Sequence, residues 1–338
     1  MNWRLVAIFA SIVPIIIIVI RFDIRLDDVL AVGAIPFALA VLAMMVKLGL
    51  QGAKLAYIVR SQVGRVDSIM RISGIRIGSE FIKFTTPMFV GAEFVVIYWL
   101  HKRGVSPAKS MWVAILDIVT EVLAGGVLAM IAGVIALING AYLVAAIILT
   151  TSVIVTSLWV VLFFLSSKRI FQIPRGISGL AIRIGKKRAE KYVEQTNSWI
   201  HEVCTISKEN MGTGRYKKTF VNAFLLSLAS WLFYGISFMI IAGGVGIPVA
   251  PFDSIMAVMG ANAIGNLPIT VGGSGLAEFG VVAYLNSLNP FDFEALEMAQ
   301  EWNAVIAWRI ATYYVPIAVT WVLLFRFALG RYTKVDAK

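Results

Sequence analysis

Residues 266–279 have the sequence NLPITVGGSGLAEF, a polar, glycine-rich segment that interrupts a long apolar region. Lipid offers no hydrogen bond to an irregular backbone, so such a segment must lie against protein or in a hydrated cavity. It also contains a carboxylate, Glu278, in surroundings where charge is costly. The segment therefore predicts a broken, buried element of a membrane protein rather than an ordinary spanning helix.

A shorter stretch of similar sequence lies earlier in the chain. Residues 277–285 are AEFGVVAYL and residues 92–100 are AEFVVIYWL, so five of nine positions are identical. Two broken apolar segments that each carry an acid are a sequence signature of a transport site. We therefore predict two re-entrant helical hairpins, the first hairpin over residues 72–100 and the second hairpin over residues 254–285.

The composition is that of an all-α polytopic membrane protein. The 338-residue chain is 59% hydrophobic and 14% charged, with a mean hydropathy of +0.84, whereas soluble domains have about 25% charged residues. The net charge of +11 lies mainly in loops, where it sets topology, so no nucleic-acid partner is expected. One cysteine and two histidines argue against a disulfide framework and a metal site. No cofactor is expected.

Apolar runs predict about six spanning helices in a single integral membrane domain, residues 1–338. The predicted spans are residues 5–20, 29–50, 111–137, 141–165, 220–245 and 303–327. Lys and Arg concentrate at residues 47–71, 101–109 and 166–218, and this bias places those segments and both termini in the cytoplasm. We therefore expect a multi-pass protein of the plasma membrane with a basic cytoplasmic loop at 166–218.

The charge pattern also gives the two hairpins opposite directions. The first hairpin has basic flanks on both sides and is predicted to enter from the cytoplasm, with a tilted span as the alternative. The second hairpin is followed by an acidic segment, residues 286–302, and is predicted to enter from outside. We therefore predict an inverted repeat, with repeat 1 over residues 51–138 and repeat 2 over residues 219–329. The halves of such repeats meet near the bilayer midplane.

Polar side chains inside the apolar segments are the candidate substrate-binding or coupling residues. A charge at membrane depth costs at least about 2.5–3.5 kcal/mol, so each needs a partner or a function. Asp117 and Glu121 are four residues apart and share one helix face, as do Asn262 and Asn266. The full set is Arg76, Glu80, Lys83, Glu93, Asp117, Glu121, Asn262, Asn266, Glu278 and Arg309.

Within this set the charges suggest two roles. Lys83 and Arg309 are the fixed positive charges and are predicted to bind an anionic headgroup, whereas Glu93 and Glu278 are predicted to bind protons or a cationic group. Structural ion pairs that hold the hairpins in place are the competing interpretation. No nucleophile triad, nucleotide fold or metal-ligand cluster accompanies these residues, so we do not expect an enzyme.

Proline and glycine are predicted to shape the two breaks, because proline removes a backbone donor and glycine accepts conformations closed to other residues. These residues are Pro87, Gly91, Pro268, Gly272, Gly273 and Gly275. The glycines of residues 272–275 also suggest a phosphate-binding loop. No Lys-Ser/Thr follows and no strand precedes them, which excludes a P-loop.

Four motifs carry a family resemblance: Thr86-Pro87-x-x-x-Gly91-x-Glu93, Leu116-Asp117, Pro268-x-x-x-Gly272-Gly-x-Gly-x-x-Glu278, and Trp308-Arg309-x-x-Thr-Tyr-Tyr-x-Pro316. Together they resemble the lysylphosphatidylglycerol synthase transmembrane-region family over roughly residues 5–330. The resemblance implies lipid translocation between leaflets and assigns function to Glu93, Asp117, Glu278 and Arg309. The sequence has no counterpart of the aminoacyl-transferase domain of the bifunctional members, so the synthase activity is not carried over.

These observations favour a lipid flippase-like transporter for an anionic or amino-acylated phospholipid or a polyprenyl-phosphate lipid. A secondary transporter of a small polar solute and a non-catalytic membrane scaffold for a lipid- or glycan-modifying enzyme are the alternatives. Membrane lipids are the expected partners, with anionic lipid at the 166–218 loop. The sequence leaves the oligomeric state open, a homodimer included.

Overall fold

A computed structural model describes residues 16, 20, 27, 30–86, 91–168, 175–267, 270, 272–286 and 301–329, without the side chains of 166–189 and 328–329. The described residues contain no strand, which confirms the predicted all-α class. Predictions for the span 5–20, for Pro87 and Pro268, and for most of the acidic segment 286–302 fall outside them. The helices are α1 (Ala34–Gln62), α2 (Ile69–Phe84), α3 (Ala92–His101), α4 (Pro107–Ile138), α5 (Tyr142–Lys168), α6 (Arg175–Met211), α7 (Gly214–Gly244), α8 (Pro251–Gly265), α9 (Leu276–Leu285), α10 (Trp302–Arg309) and α11 (Val315–Leu324).

Among the described residues, five helical segments are long and apolar enough to cross a membrane, and they match the last five predicted spans. They are Ala34–Gln62, Pro107–Ile138, Tyr142–Leu165, Gly214–Gly244 and Trp302–Phe327. At 1.5 Å per residue, even the shortest, with 24 residues, extends about 36 Å, more than the hydrocarbon core of about 30 Å. The chain is therefore a multi-pass membrane protein.

The first of these helices differs from the prediction. A span over 29–50 was expected, with Lys47 and Lys54 in a cytoplasmic segment, but α1 runs from Ala34 to Gln62. Both lysines are buried, with 6% and 0% of their surface exposed. The prediction was wrong because it took the lysines from position 47 onward as a cytoplasmic flank, whereas aromatic rings surround the ammonium group of Lys47 and carboxylates surround that of Lys54.

Each hairpin consists of two short helices around a break. The first hairpin consists of α2, which ends at Phe84, and α3, which begins at Ala92; the second hairpin consists of α8, which ends at Gly265, and α9, which begins at Leu276. The bounds differ from the predicted ones by at most three residues at each end. With 16, 10, 15 and 10 residues, these helices extend only about 15–24 Å and are too short to cross alone.

Asp67, just before α2, clamps the open end of the first hairpin. Its carboxylate accepts hydrogen bonds from Arg103 Nε at 2.8 Å, from the Ser68 N–H at 2.7 Å and from Arg71 Nη1 at 3.4 Å. Burial raises the pKa of this carboxyl, but the hydrogen bonds from Arg103 and Ser68 and the charges of both arginines hold the pKa below its ordinary value. The ionised carboxylate therefore joins the start of α2 to the segment after α3.

The two hairpins open toward opposite ends of the long helices. At one end, Trp112 near the start of α4 donates to Gln62 Oε1 at the end of α1, at 3.3 Å, close to Asp67 in sequence. The second hairpin is fixed near the other end, where the hydroxyl of Ser254 donates to the carbonyl of Gly235 in α7 at 2.8 Å. The depth at which each hairpin lies in a bilayer stays a prediction.

The breaks of the two hairpins meet at Tyr313. Its hydroxyl donates to the carbonyl oxygen of Phe84, the last residue of α2, at 2.8 Å. Its ring also lies so close to Gly272 that a Cβ there would be 2.6 Å from Cε2 of Tyr313. The last long helix therefore touches both breaks with one side chain.

A π-helical turn places Tyr313 and Arg309 together. Residues Ile310–Tyr314 form a π-helix between α10 and α11. Pro316 follows immediately and has no N–H to donate, which favours a widened turn at this point. The guanidinium of Arg309 lies over the ring of Tyr313, 4.0 Å from its centroid. Widened turns of this kind often occur at functional sites.

Candidate functional site

Six charged side chains from three helices form one ionic cluster: Lys54 of α1, Arg76, Glu80 and Lys83 of α2, and Asp117 and Glu121 of α4. All of them are buried except Lys83, which is partly buried. Arg76 is at the centre of the cluster. Its Nε lies 2.8 Å from Asp117 Oδ2, its Nη2 lies 2.7 Å from Glu121 Oε2, and it also pairs with Glu80. The planar guanidinium suits this task because it can bond several carboxylates in fixed directions.

The two lysines of the ionic cluster balance its negative charges. Lys54 Nζ lies 3.0 Å from Asp117 Oδ1 and 3.4 Å from Glu121 Oε2, and Lys83 Nζ lies 2.5 Å from Glu121 Oε1. Three acids thus face three bases. Because an unpaired buried charge is far more costly than a paired one, the cluster holds α1, α2 and α4 together as a unit.

A second buried pair joins the last long helix to the second hairpin. Arg309 Nε lies 2.7 Å from Glu278 Oε1, and Arg309 Nη2 donates to the carbonyl of Gly272 at 2.5 Å. Glu278 Oε2 accepts the N–H of Gly275 at 2.8 Å, so the carboxylate also caps the start of α9. Arg309 and Glu278 are 3% and 0% exposed. The pair therefore fixes the shape of the break.

Three glycines of this break adopt conformations that other residues rarely take. Gly272, Gly273 and Gly275 have φ values of 59°, 65° and 87°, and Gly91 in the first hairpin has φ 117°. The predicted role of these four glycines in shaping the breaks fits this geometry. Glu93 caps its own helix in the same manner as Glu278, since its Oε2 accepts the N–H of Gly91 at 3.1 Å.

Replacing Gly272 by alanine should destabilise the protein by about 2 kcal/mol or more, because the left-handed backbone is strained and the Cβ enters the ring of Tyr313. Thermal unfolding in detergent measures the effect. Gly243→Ala is the matched control, since a Cβ at Gly243 meets no atom within 4 Å. That variant should be neutral or slightly more stable, and equal melting temperatures for the two variants would contradict the assignment.

A cavity of about 290 Å³ lies between the two hairpins and is bounded by α4, α5 and α7. Its lining includes polar and charged side chains, among them Lys47, Glu80, Lys83, Glu93, Glu121, Asn262, Asn266 and Arg309. Its lining also includes apolar side chains, among them Ile115, Ile118 and Val155. Phe94 lines the cavity and is also 70% exposed, so the cavity reaches the protein surface at α3.

One face of α4 lines the cavity for most of the length of the helix. The lining residues of this helix are Met111, Ile115, Ile118, Glu121, Val122, Gly125, Gly126 and Ala129. From the first to the last of them the helix rises about 27 Å, close to the thickness of a hydrocarbon core. Apart from Glu121, which belongs to the ionic cluster, this face has no charged residue, so the cavity combines charged groups with a largely apolar face that extends nearly across a bilayer.

The family model of the lysylphosphatidylglycerol synthase TM region matches residues 4–320. The chain belongs to the lysylphosphatidylglycerol synthase transmembrane-region family. The match confirms the resemblance in the sequence motifs and supports a function connected with membrane lipids. Comparisons with curated proteins and with solved structures gave no match.

In this family member, the structure brings the predicted site residues together. Seven of the ten line the cavity, namely Glu80, Lys83, Glu93, Glu121, Asn262, Asn266 and Arg309. Of the other three, Arg76 bonds to Glu80 and Glu121, and Glu278 bonds to Arg309. Asp117 is linked to the lining residues through Arg76. No predicted residue of the set lies away from the site.

Lys47 is a cavity residue that the sequence reasoning missed. Its Nζ lies 4.7 Å from the ring centroid of Trp231 and 4.5 Å from that of Tyr234, both on α7. Among the described residues, no carboxylate lies within ion-pair distance of it. Aromatic faces partly stabilise a buried cation, by about 2 kcal/mol when it is desolvated. Lys47 is therefore the cavity cation without an acidic partner.

The missed residues do carry a sequence signal. Lys47, Gln51 and Lys54 are spaced four and three residues apart, which places them on one face of a helix. Gln51 is also buried, and its amide donates to the hydroxyl of Ser230 at 2.7 Å. A polar face of this spacing that continues an apolar run indicates a buried polar seam rather than the end of a span.

Several polar groups of the cavity remain available for a ligand. The carboxylate of Glu93 pairs with no cation of the described residues, and its recorded bond is to its own helix start. The side-chain amides of Asn262 and Asn266 line the cavity without a hydrogen bond to any described residue. Together with Lys47, they offer one positive group, one negative group and two amides.

Proposed function

We propose that this protein moves a phospholipid or polyprenyl-phosphate lipid between leaflets, with the headgroup in the cavity and the acyl chains along the apolar face of α4. The observation that carries the proposal is a cavity whose lining combines charged groups with an α4 face that, apart from Glu121, is uncharged over about 27 Å. A small polar solute needs no such apolar face. Family membership supports a lipid-related function without naming the lipid.

The available groups suggest how a headgroup is held. Lys47 has no acidic partner and can donate to a phosphate, and charged hydrogen bonds of this kind are short and strong. Glu93 can accept from an ammonium or hydroxyl group of the headgroup. The amides of Asn262 and Asn266 can donate or accept. This set fits an anionic or amino-acylated phospholipid, in which phosphate and polar headgroup atoms lie close together.

The paired charges take a different role in the proposal. Lys83 and Arg309 line the cavity but are bound to Glu121 and Glu278, so their contribution to headgroup binding is an added attraction for phosphate. Glu278 is engaged by Arg309 and by the N–H of Gly275, and we assign it to shaping the second hairpin. Re-entry of both hairpins into the bilayer is part of the proposal, since their helices are too short to cross it.

The test is lipid translocation in proteoliposomes by a variant with a narrowed cavity. Ile118→Trp adds volume inside the cavity and should slow movement of headgroup-labelled phospholipid by about tenfold or more, roughly the effect of 1.4 kcal/mol on a barrier. Val134→Trp is the control, because Val134 lies on the same helix but is 48% exposed on its outer surface. Its rate should equal that of the wild type.

Two results would overturn the proposal. Wild-type protein that takes up a soluble solute but leaves the label in its original leaflet would be a solute transporter. Wild-type protein that moves neither, and co-purifies stably with a modifying enzyme, would be a scaffold. Equal lipid translocation by the two tryptophan variants would place the lipid path elsewhere.

A further inference from the structure

A second pocket, of about 540 Å³, lies where the end of α1 meets the start of α7. We call it the basic pocket. Tyr57, Arg60 and Ser61 line it from the last turns of α1. From α7, Arg215, Lys218, Thr219 and Asn222 line it, at the spacing of a single helix face. None of its residues lines the cavity between the hairpins.

The basic pocket has three cations and no acid in its lining. Arg60, Arg215 and Lys218 are exposed at its rim, and none of them pairs with a carboxylate in the part of the chain that the structure describes. Most of the buried cations of the protein are matched by acids. Three unmatched positive charges around one concave surface create a local field that attracts an anion.

Hydrogen bonds within the basic pocket leave the hydroxyl proton of Tyr57 available for a ligand. The hydroxyl of Thr219 donates to the carbonyl of Arg215 at 2.8 Å, and lies 2.5 Å from the hydroxyl of Ser61, which can then donate to it. Asn222 donates to the hydroxyl of Tyr57 at 2.9 Å. The proton of that hydroxyl therefore remains free. The start of α7 adds the positive end of a helix dipole.

An apolar stripe on α7 begins beside these cations and indicates that the anion is the headgroup of a lipid. Val221 and Leu225 follow Lys218 by three and seven residues on α7 and are 53% and 52% exposed. In a spanning helix such side chains face acyl chains. A bound phosphate would therefore lie at the head of a lipid-facing stripe. The charge bias of the loops predicts that this end faces the cytoplasm, where anionic lipids are attracted to basic segments.

We propose that the basic pocket binds the phosphate of an anionic phospholipid, as a site separate from the cavity between the hairpins. The three cations neutralise the phosphate, Tyr57 donates to one of its oxygens, and the acyl chains lie along Val221 and Leu225. The site holds α1 and α7 in register at their shared end. It does not depend on which molecule the cavity carries, or on whether the cavity carries one.

The test compares two triple variants that remove the same charge. Arg60→Gln/Arg215→Gln/Lys218→Gln empties the basic pocket of cations, and Arg65→Gln/Lys191→Gln/Lys208→Gln removes three exposed cations outside it. Native mass spectrometry of purified protein, titrated with phosphatidylglycerol or phosphatidylcholine, counts bound lipids. The pocket variant should bind one phosphatidylglycerol fewer, or bind it at least about tenfold more weakly, while the control matches the wild type.

Two single variants also test the basic pocket. Lys218→Gln alone should weaken binding by a smaller factor, and it serves if the triple variant does not fold. Lys47→Met should retain the lipid, which separates this site from the cavity. Equal phosphatidylglycerol binding by the two triple variants would overturn the proposal. So would equal binding of phosphatidylcholine, or displacement of the lipid by inorganic phosphate at matching concentrations, which would identify a site for a soluble anion.

Discussion

Arg309→Gln should destabilise the folded protein by about 3–5 kcal/mol, the usual cost of removing one partner of a buried ion pair. Glu278 would remain fully buried with its charge opposed only by the N–H of Gly275. The carbonyl of Gly272 would also lose its donor. Because both groups belong to the break of the second hairpin, the variant should unfold earlier and lose translocation together.

The double variant Glu278→Gln/Arg309→Gln shows whether translocation is lost because the protein is destabilised or because Arg309 no longer attracts the headgroup. It removes both charges, so no carboxylate is left buried without a partner, and most of the lost stability should return. If it also recovers translocation, Arg309 serves mainly to hold the hairpin. If it is stable but inactive, Arg309 also attracts the headgroup.

Thermal unfolding in detergent and lipid translocation are measured on the same preparations. A single Arg309→Gln variant as stable as the wild type would contradict the structural role of the pair. Arg326→Gln is a suitable control, because Arg326 lies near the end of the same long helix and is exposed.

The sequence predicted the broken hairpins and the acids because each leaves a local signature. Prolines and glycines near residues 87–91 and 268–275 interrupt apolar runs, and Glu93 and Glu278 lie where charge is costly. These signals need no knowledge of distant residues. The predicted site residues lie together around one cavity, and their role in binding stays a prediction.

Contacts between distant segments were beyond sequence reasoning. Tyr313 bonds the carbonyl of Phe84, 229 positions away, and nothing in either local sequence indicates the pair. The aromatic neighbours of Lys47 lie on α7, and a lysine that ends an apolar run is more often an interfacial anchor. The spacing of Lys47 and Lys54 indicates a buried polar seam, but the helices that supply their partners could not be identified from sequence.

Lys47 and Lys54, two turns apart on α1, should respond to substitution in opposite ways. Lys54→Met leaves the three acids of the ionic cluster with two bases, because Lys54 Nζ lies 3.0 Å from Asp117. We expect a loss of about 3–5 kcal/mol in stability. Lys47→Met leaves no acid unpaired, and the thioether side chain can pack on Trp231 and Tyr234, so stability should change by less than about 1 kcal/mol.

Lys47→Met should affect translocation more strongly than it affects stability. A hydrogen bond to a charged group contributes about 1.5–3 kcal/mol, so loss of the free ammonium should weaken headgroup binding and slow translocation by about tenfold or more. Lys47→Arg should retain much of the activity, because the charge remains over the same rings.

The test measures melting temperature and translocation of headgroup-labelled lipid for Lys47→Met, Lys47→Arg and Lys54→Met. The two measurements together distinguish a lysine that binds the ligand from a lysine that stabilises the fold. A stable but inactive Lys47→Met beside an unstable Lys54→Met identifies one lysine as a ligand group and the other as a structural one. Full translocation by Lys47→Met would remove the cavity's unpaired cation from headgroup binding. Recognition of phosphate would then depend on Lys83 and Arg309, which are already bound to carboxylates.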